Sequence, residues 1–430
     1  MSLVDRLRAV IQDAGGSARP LDLARGRQGV HRSDDQPSGG ENLAADVLGG
    51  QWCDAGGQRF LVVDRTYRPG HRHGSVTVAD ALPSSDGVWP GLDLLLGQAE
   101  PGLPAVEAGG RALFFDLETT GLAGGAGTYA FLVGCGWFEG GSFRTRQFFL
   151  TDFGAERALL DAVARTANDA GTVVTYNGKS FDLPLMETRF VLHRRATPFA
   201  GLPHVDMLHP ARRLWRGDES GCRLTSLEQI LYGYRREGDV PGFEIPARYF
   251  HYVRSGDARP LEGVLEHNRL DLLALACVTA RAAHLLAEGA ASARGGREAL
   301  GLGQLYERHG RLREARACYV QACAFEADAV RVEALRALAL LSRRLRCYEE
   351  AAAAWRQLLD CPGCPQSIVR EASEALAVHH EHRARNLSVA RALTLRSLTC
   401  QGTMARRELL QHRLARLDRK IGDRNEAVLF

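Results

Sequence analysis

The chain has 430 residues, 45% hydrophobic and 24% charged, with a formal net charge of +3. These are values of an ordinary globular protein with room for about two to three domains. Ten cysteines in so long a chain do not make a disulfide framework. No uninterrupted apolar run reaches the ~18 residues of a bilayer span, and MSLVDRLRAVIQDAGG at the start lacks the features of a signal peptide, so no membrane partner and a cytoplasmic location are expected.

In chain order, that opening segment has the pattern of a short amphipathic helix. Residues 15–50 are rich in Gly, Ser, Asp and Pro and read as a loop or linker. A strand is expected at RFLVVD (59–64), within a partly irregular N-terminal region running to residue 105. ALFFD (112–116) reads as a buried strand. YAFLVGCGWF (129–138) and FRTRQFFL (143–150) read as strands joined by the hairpin signal EGGS. Then come a helix (156–168), a strand (172–177), a helix (181–195), a short strand (203–208) and helices at 224–232, 246–254 and 261–286. Three strands joined by tight turns, then alternating helix and strand, describe a mixed sheet with flanking helices. The expected class is α/β with a ribonuclease H-like order over 106–286. An all-α repeat region follows a linker at 287–296 and spans 297–430.

That region repeats weakly. LYERHGRLREARACYVQA (305–322) recurs as SRRLRCYEEAAAAWRQL (342–358) and more faintly as EHRARNLSVARALTLRSL (381–398), at offsets of 36 and 39. These periods suit tetratricopeptide-like helical hairpins, which bury their apolar faces only by stacking. Residues 286–430 hold 24 Arg or Lys against 17 Asp or Glu, and lysine occurs only at Lys179 and Lys420. Arginine suits bidentate phosphate contacts, although a compositional bias toward Arg and Ala gives the same numbers.

Four acids stand out. Asp116 and Glu118 end a buried strand in FFDLETTG. At i and i+2 they share a face, an arrangement a divalent cation relieves. Asp182 lies in TYNGKSFD, where a strand hands over to a helix, and Asp271 lies in LEHNRLDLLAL with His267 one helical turn earlier. Taken singly, each also fits an ordinary solvated or helix-start position. CPGCP (361–365), with histidines at 379, 380 and 382, has zinc-like spacing but also reads as an inter-helix loop.

Together the order D-x-E, N-x-x-x-x-D and H-x-x-x-D resembles the DEDD superfamily of 3′–5′ exonucleases. FFDLETTGLAGGAGTYAFLVG, TYNGKSFDLPLMETRF, PGFEIPARYFHYVRSG and LEHNRLDLLAL resemble more closely the YprB-like ribonuclease H-like family, over about residues 110–285, with helical repeats as its accompaniment. The resemblance implies that Asp116, Glu118, Asp182 and Asp271 hold two Mg²⁺ or Mn²⁺ ions for in-line phosphodiester hydrolysis, with His267 orienting or deprotonating water. Here His267 precedes the last acid by four residues, the spacing of the superfamily's tyrosine branch. It could therefore act through a neighbour instead. Thr119, Thr120 and Gly121 would admit a terminal nucleotide, and Asn177 and Lys179 would lie near the phosphate. The expected activity is a 3′–5′ exonuclease on single-stranded DNA or RNA ends, with a protein partner or further nucleic acid on the repeats, through arginines such as Arg343, Arg344 and Arg346. The rival expectation is a nucleic-acid-binding scaffold with little turnover that works by protein docking.

Overall fold

The computed structural model describes residues 39–83, 89, 91–96, 110–121, 127–216, 221–325, 328–400 and 403–429. The expected N-terminal helix and the glycine-rich stretch at 122–126 lie outside the described residues. The chain divides into residues 1–42 and a second unit, Leu43–Phe430, to which everything below belongs except the first turn of α1. That helix, α1 (Gly39–Leu48), stands where a linker was expected. Its buried Ala44 and Leu48 are one turn apart, enough of an apolar stripe to seat it.

The strands are β1 (Gln51–Ala55), β2 (Gln58–Tyr67), the two-residue β3 (Arg72–His73) and β4 (Val76–Thr77), then β5 (Arg111–Thr119), β6 (Ala130–Glu139), β7 (Ser142–Phe149), β8 (Ala170–Thr175) and β9 (His204–Asp206). Seven form one sheet in the order β1-β2-β7-β6-β5-β8-β9. From β1 to β5 the neighbours are antiparallel; β5–β8 and β8–β9 are parallel. The mixed sheet is the one expected, with an addition. The N-terminal region contributes a whole hairpin, β1–β2, to its edge. Gly56 and Gly57 make that turn with φ of 65° and 77°, as Gly140 and Gly141 do for β6–β7 with 57° and 75°. Paired positive φ values suit the twist of a two-residue hairpin.

Helices cover both faces. These are α2 (Glu156–Ala167), α3 (Asp182–Leu192), α4 (Leu208–Trp215), α5 (Leu224–Tyr232), α6 (Ile245–Ser255) and α7 (Glu262–Glu288). Helix α4 was not expected; its Pro210 sits in the first turn, where proline is tolerated. Along β5 the faces divide cleanly. Leu113, Phe115 and Leu117 enter one core with α2, α3 and α6, whereas Ala112 and Phe114 enter another with α5 and α7. Asp116 and Glu118 continue this second face toward the strand's end. Burial on both sides explains the unbroken apolar run of β5. The stretch Arg259–Ser292 is apolar enough by composition to cross a membrane, but 78% of its most apolar window is buried inside the protein. It is a core helix, and it qualifies the expectation that no such run exists.

Helices α8 (Gly296–Arg308), α9 (Leu312–Ala324), α10 (Asp328–Arg344), α11 (Tyr348–Leu359), α12 (Gln366–His382), α13 (Leu387–Thr399) and α14 (Met404–Leu429) complete the chain. The repeat offsets are visible in the backbone. Gly310, Arg346 and Arg385 have φ of 73°, 61° and 52°, each in the tight turn between paired helices and spaced by the same 36 and 39 residues. Many arginines are spent between successive hairpins. Arg297 pairs with Glu333 at 3.1 Å, Arg336 with Glu371 at 2.6 Å and Arg416 with Glu381 at 2.8 Å, and Arg316 pairs with Glu350. Arg344 pairs with Glu307 at 3.1 Å. The stretch 287–296 is less a free linker than a packed corner. Buried Glu298 accepts hydrogen bonds from Trp215 Nε1 at 2.7 Å, Arg281 Nη2 at 2.6 Å and the Arg294 amide at 2.7 Å. One apolar cluster continues from Phe114 through α7 to Trp355 and Leu376.

Candidate functional site

The acids gather where the parallel strands end. Asp116 lies opposite Gly134 across the β5–β6 ladder. A Cβ on Gly134 would fall 2.4 Å from Asn268 Oδ1, so only glycine leaves room for Asn268. That side chain, fully buried on α7, donates from Nδ2 to Asp116 Oδ2 at 2.7 Å. Its Oδ1 accepts from Gln147 Nε2 at 2.8 Å, and Gln147 also donates to the Leu265 carbonyl at 2.8 Å. The Asp116 carboxylate is thus aimed by a buried amide chain from β7 through α7.

Asp182 is placed by a loop that Asp206 organises. The end of β8 turns at Asn177, whose φ is 69°. Asp206 at the end of β9 accepts from the amides of Asn177 at 2.7 Å, Lys179 at 3.1 Å and Leu208 at 3.1 Å. Helix α3 then starts at Asp182 and is locked to α2 by a buried ion pair between Arg189 and Glu156.

The four carboxylates feel one another. Burial, then Asp271, Glu118 and Asp182, drive the Asp116 carboxyl well above the usual range, with only the Asn268 bond opposing. Burial, then Asp271, Asp182 and Asp239, do the same to Glu118. Burial, with Asp206 and Asp271, pushes Asp182 up to about 7. Such shifts are what desolvation plus like charge produce. Among the described residues no Lys or Arg is paired with Asp116, Glu118 or Asp182, and no three His, Cys, Asp or Glu side chains already stand at metal-ligating spacing. Hard oxygen donors without a countercharge fit a divalent cation; these three acids, joined by Asp271, are the residues that could hold one. The zinc-like spacing of Cys361 and Cys364 brings no such group together either.

Asp271 and His267 share a face of α7 as expected, with His267 Nε2 3.6 Å from Asp271 Oδ2. What surrounds them was not anticipated. His267 Nδ1 donates to Asp239 Oδ1 at 2.6 Å. Arg236 Nη2 donates to Asp271 Oδ1 at 2.5 Å and Nε to Glu228 Oε2 at 2.8 Å. Burial works against the guanidinium's charge, but Asp271 and Glu228 more than offset this and raise its pKa. The other Glu228 oxygen meets His73 Nε2 at 2.9 Å. Asn268, Gln147, Arg236, Asp239 and Glu228 escaped the sequence reading. The one signal for them was polar residues at apolar-phase positions, such as Asn268 between Leu265 and Leu272.

The remaining expected residues are placed as follows. Thr119 Oγ1 donates to the Gly121 carbonyl at 2.9 Å, and Thr120 Oγ1 accepts from the Tyr129 amide at 3.0 Å. Among the described residues nothing lies within 4 Å of where a Cβ at Gly121 would stand. The Lys179 side chain is exposed. Its charge bears on His204, whose imidazole is pushed down to about 4 by burial first and Lys179 second.

Comparison with known proteins bears on this geometry. The family RNase_H_2, of the RNase_H superfamily, matches residues 113–283, the span from β5 to near the end of α7. The uncharacterized protein YprB of Bacillus subtilis (strain 168) is 31% identical over 312 residues, covering 71% of this chain and 74% of that protein. The chain belongs to the YprB family of the RNase_H superfamily. Family membership makes the fold a nuclease-type scaffold suited to nucleic acid, of a kind that typically works with divalent metal. The aligned length exceeds the matched superfamily span, so the likeness to YprB extends past the acid-bearing core.

Proposed function

We propose that the protein is a metal-dependent phosphodiester hydrolase, a 3′–5′ exonuclease of the DEDD type acting on single-stranded DNA or RNA ends. The carrying observation is the cluster of Asp116, Glu118, Asp182 and Asp271, in which the carboxyls of Asp116, Glu118 and Asp182 are raised by burial and by the acids around them. Two Mg²⁺ or Mn²⁺ ions, when bound, would supply Lewis acidity and lower the pKa of water.

The chain's own residues do the rest. Asn268 fixes Asp116 in one orientation, and the Asp206 loop presents Asp182. Asp239 accepts from His267 Nδ1, which leaves Nε2 as the basic nitrogen. A base held by a carboxylate is the arrangement general-base catalysis requires. His267 Nε2 points toward Asp271, so the proton it takes leaves from the edge of the acidic cluster. Thr119, Thr120 and Gly121 would receive a terminal nucleotide, and Asn177 and Lys179 would lie near its phosphate. The helical hairpins, tetratricopeptide-like in period, extend the path for nucleic acid or receive a protein partner.

The test is incubation of the full chain with end-labelled single- and double-stranded DNA and RNA and with circular substrates, in Mn²⁺ and in chelator. Ladders shrinking from the 3′ end, absent in chelator and in Asp116→Ala and Asp271→Ala, are expected. Internal cuts in circles would replace exonuclease by endonuclease. Binding without cleavage would leave a docking scaffold.

A further inference from the structure

The residue that ties the acidic cluster together is an arginine that cannot touch substrate. Arg236, in the segment between α5 and α6, has only 4% of its side chain exposed. Its planar fork addresses three acids at once. Nε binds Glu228 at 2.8 Å, Nη2 binds Asp271 at 2.5 Å, and Nη1 stands 3.5 Å from Asp239 Oδ2. Nη1 is buried and makes no hydrogen bond among the described residues, so it faces Asp239 as a charge rather than as a donor. Glu228 is itself fully buried and held from behind by His73, whose ring packs at a tilt against Tyr234 with centroids 4.1 Å apart. An arginine clamped this way has little freedom to move, and lysine, a point charge on a flexible stem, cannot reproduce its fork.

We infer that Arg236, anchored by Glu228 and His73, is the positioning residue of the site. It takes Asp271 Oδ1, turns Oδ2 toward His267 and the other acids, and steadies Asp239 as the partner of His267. One guanidinium therefore sets both the last carboxylate of the cluster and the imidazole beside it. The inference rests on the metal-dependent reading above. Groups behind a metal ligand typically alter metal affinity or activity about 10- to 100-fold when changed.

The experiment compares wild type, Arg236→Lys, Glu228→Gln and Asp116→Asn as full chains. It reads Mn²⁺ binding from the electron-paramagnetic-resonance signal of the free ion, melting in chelator, and kcat and KM on single-stranded DNA. Arg236→Lys keeps the charge and loses the fork. It should bind Mn²⁺ about 10- to 100-fold more weakly, with kcat reduced and KM for DNA unchanged. Glu228→Gln should shift both in the same direction by less, and it carries the test if the lysine variant does not fold. Unchanged Mn²⁺ affinity and kcat in the folded variants overturns the inference, as does a rise in KM alone, which would mean direct substrate contact. Wild-type Mn²⁺ binding that Asp116→Asn abolishes but Arg236→Lys retains overturns this inference and spares the metal-dependent reading. Binding insensitive to Asp116→Asn overturns both.

Discussion

Asp182 offers the sharpest handle on the cluster, because its carboxyl is raised from an ordinary 3.8 to about 7 by burial, Asp206 and Asp271. A carboxyl raised in the folded state stabilises it fully below the unfolded value. That contribution is lost as pH climbs from about 4 through about 7. At 1.36 kcal/mol per unit the loss is about 4 kcal/mol by pH 8; partial exposure of the side chain reduces it to about 2–4 kcal/mol. Asparagine has nearly the same shape and no charge to desolvate. Asp182→Asn should therefore stabilise the protein in chelator by about 2–4 kcal/mol at pH 8 and by well under 1 kcal/mol at pH 4. Urea unfolding at the two pH values reads this directly. Excess Mn²⁺ at pH 8 should reverse the ranking, since a ligand that binds only the folded wild type stabilises it by mass action. A wild-type-to-variant difference that stays constant from pH 4 to pH 8 would refute the claim that burial and like charge, rather than packing, set the Asp182 carboxyl.

Two further outcomes follow from the packing. Gly134→Ala places a methyl group 2.4 Å from the Asn268 amide, which is boxed in by Gln147 and Asp116. It should cost about 1–3 kcal/mol in urea unfolding and weaken Mn²⁺ binding through Asp116; an unshifted unfolding midpoint would contradict the close approach. Glu298→Ala strands the buried cation of Arg281 and the Trp215 indole at the corner between the sheet domain and the helical hairpins. The expected loss is about 3–5 kcal/mol by urea unfolding, and a loss below about 1 kcal/mol would show that the apolar cluster alone holds that corner.

Local order along the chain was largely legible in the sequence. Strand and helix periodicities, the EGGS hairpin and the offsets of the helical hairpins are short-range properties, written within a few residues of where they act. The acids were legible as well, not singly, since each also fits an ordinary solvated or helix-start position, but as a set in the order D-x-E, N-x-x-x-x-D and H-x-x-x-D. Only the tertiary structure decided what those acids touch. Asn268 reaches Asp116 through space that Gly134 leaves open, and Arg236, in a segment with no periodicity of its own, closes on Glu228 of α5, Asp271 of α7 and Asp239 of its own segment. The β1–β2 hairpin joined the sheet because β7 presented a free edge to it, and of the arginines named for nucleic acid Arg344 pairs with Glu307, about one repeat away. Hydrogen bonds and ion pairs depend on positions within a few ångströms, and a linear sequence does not carry that information until the cores on both faces of β5 have brought distant segments together.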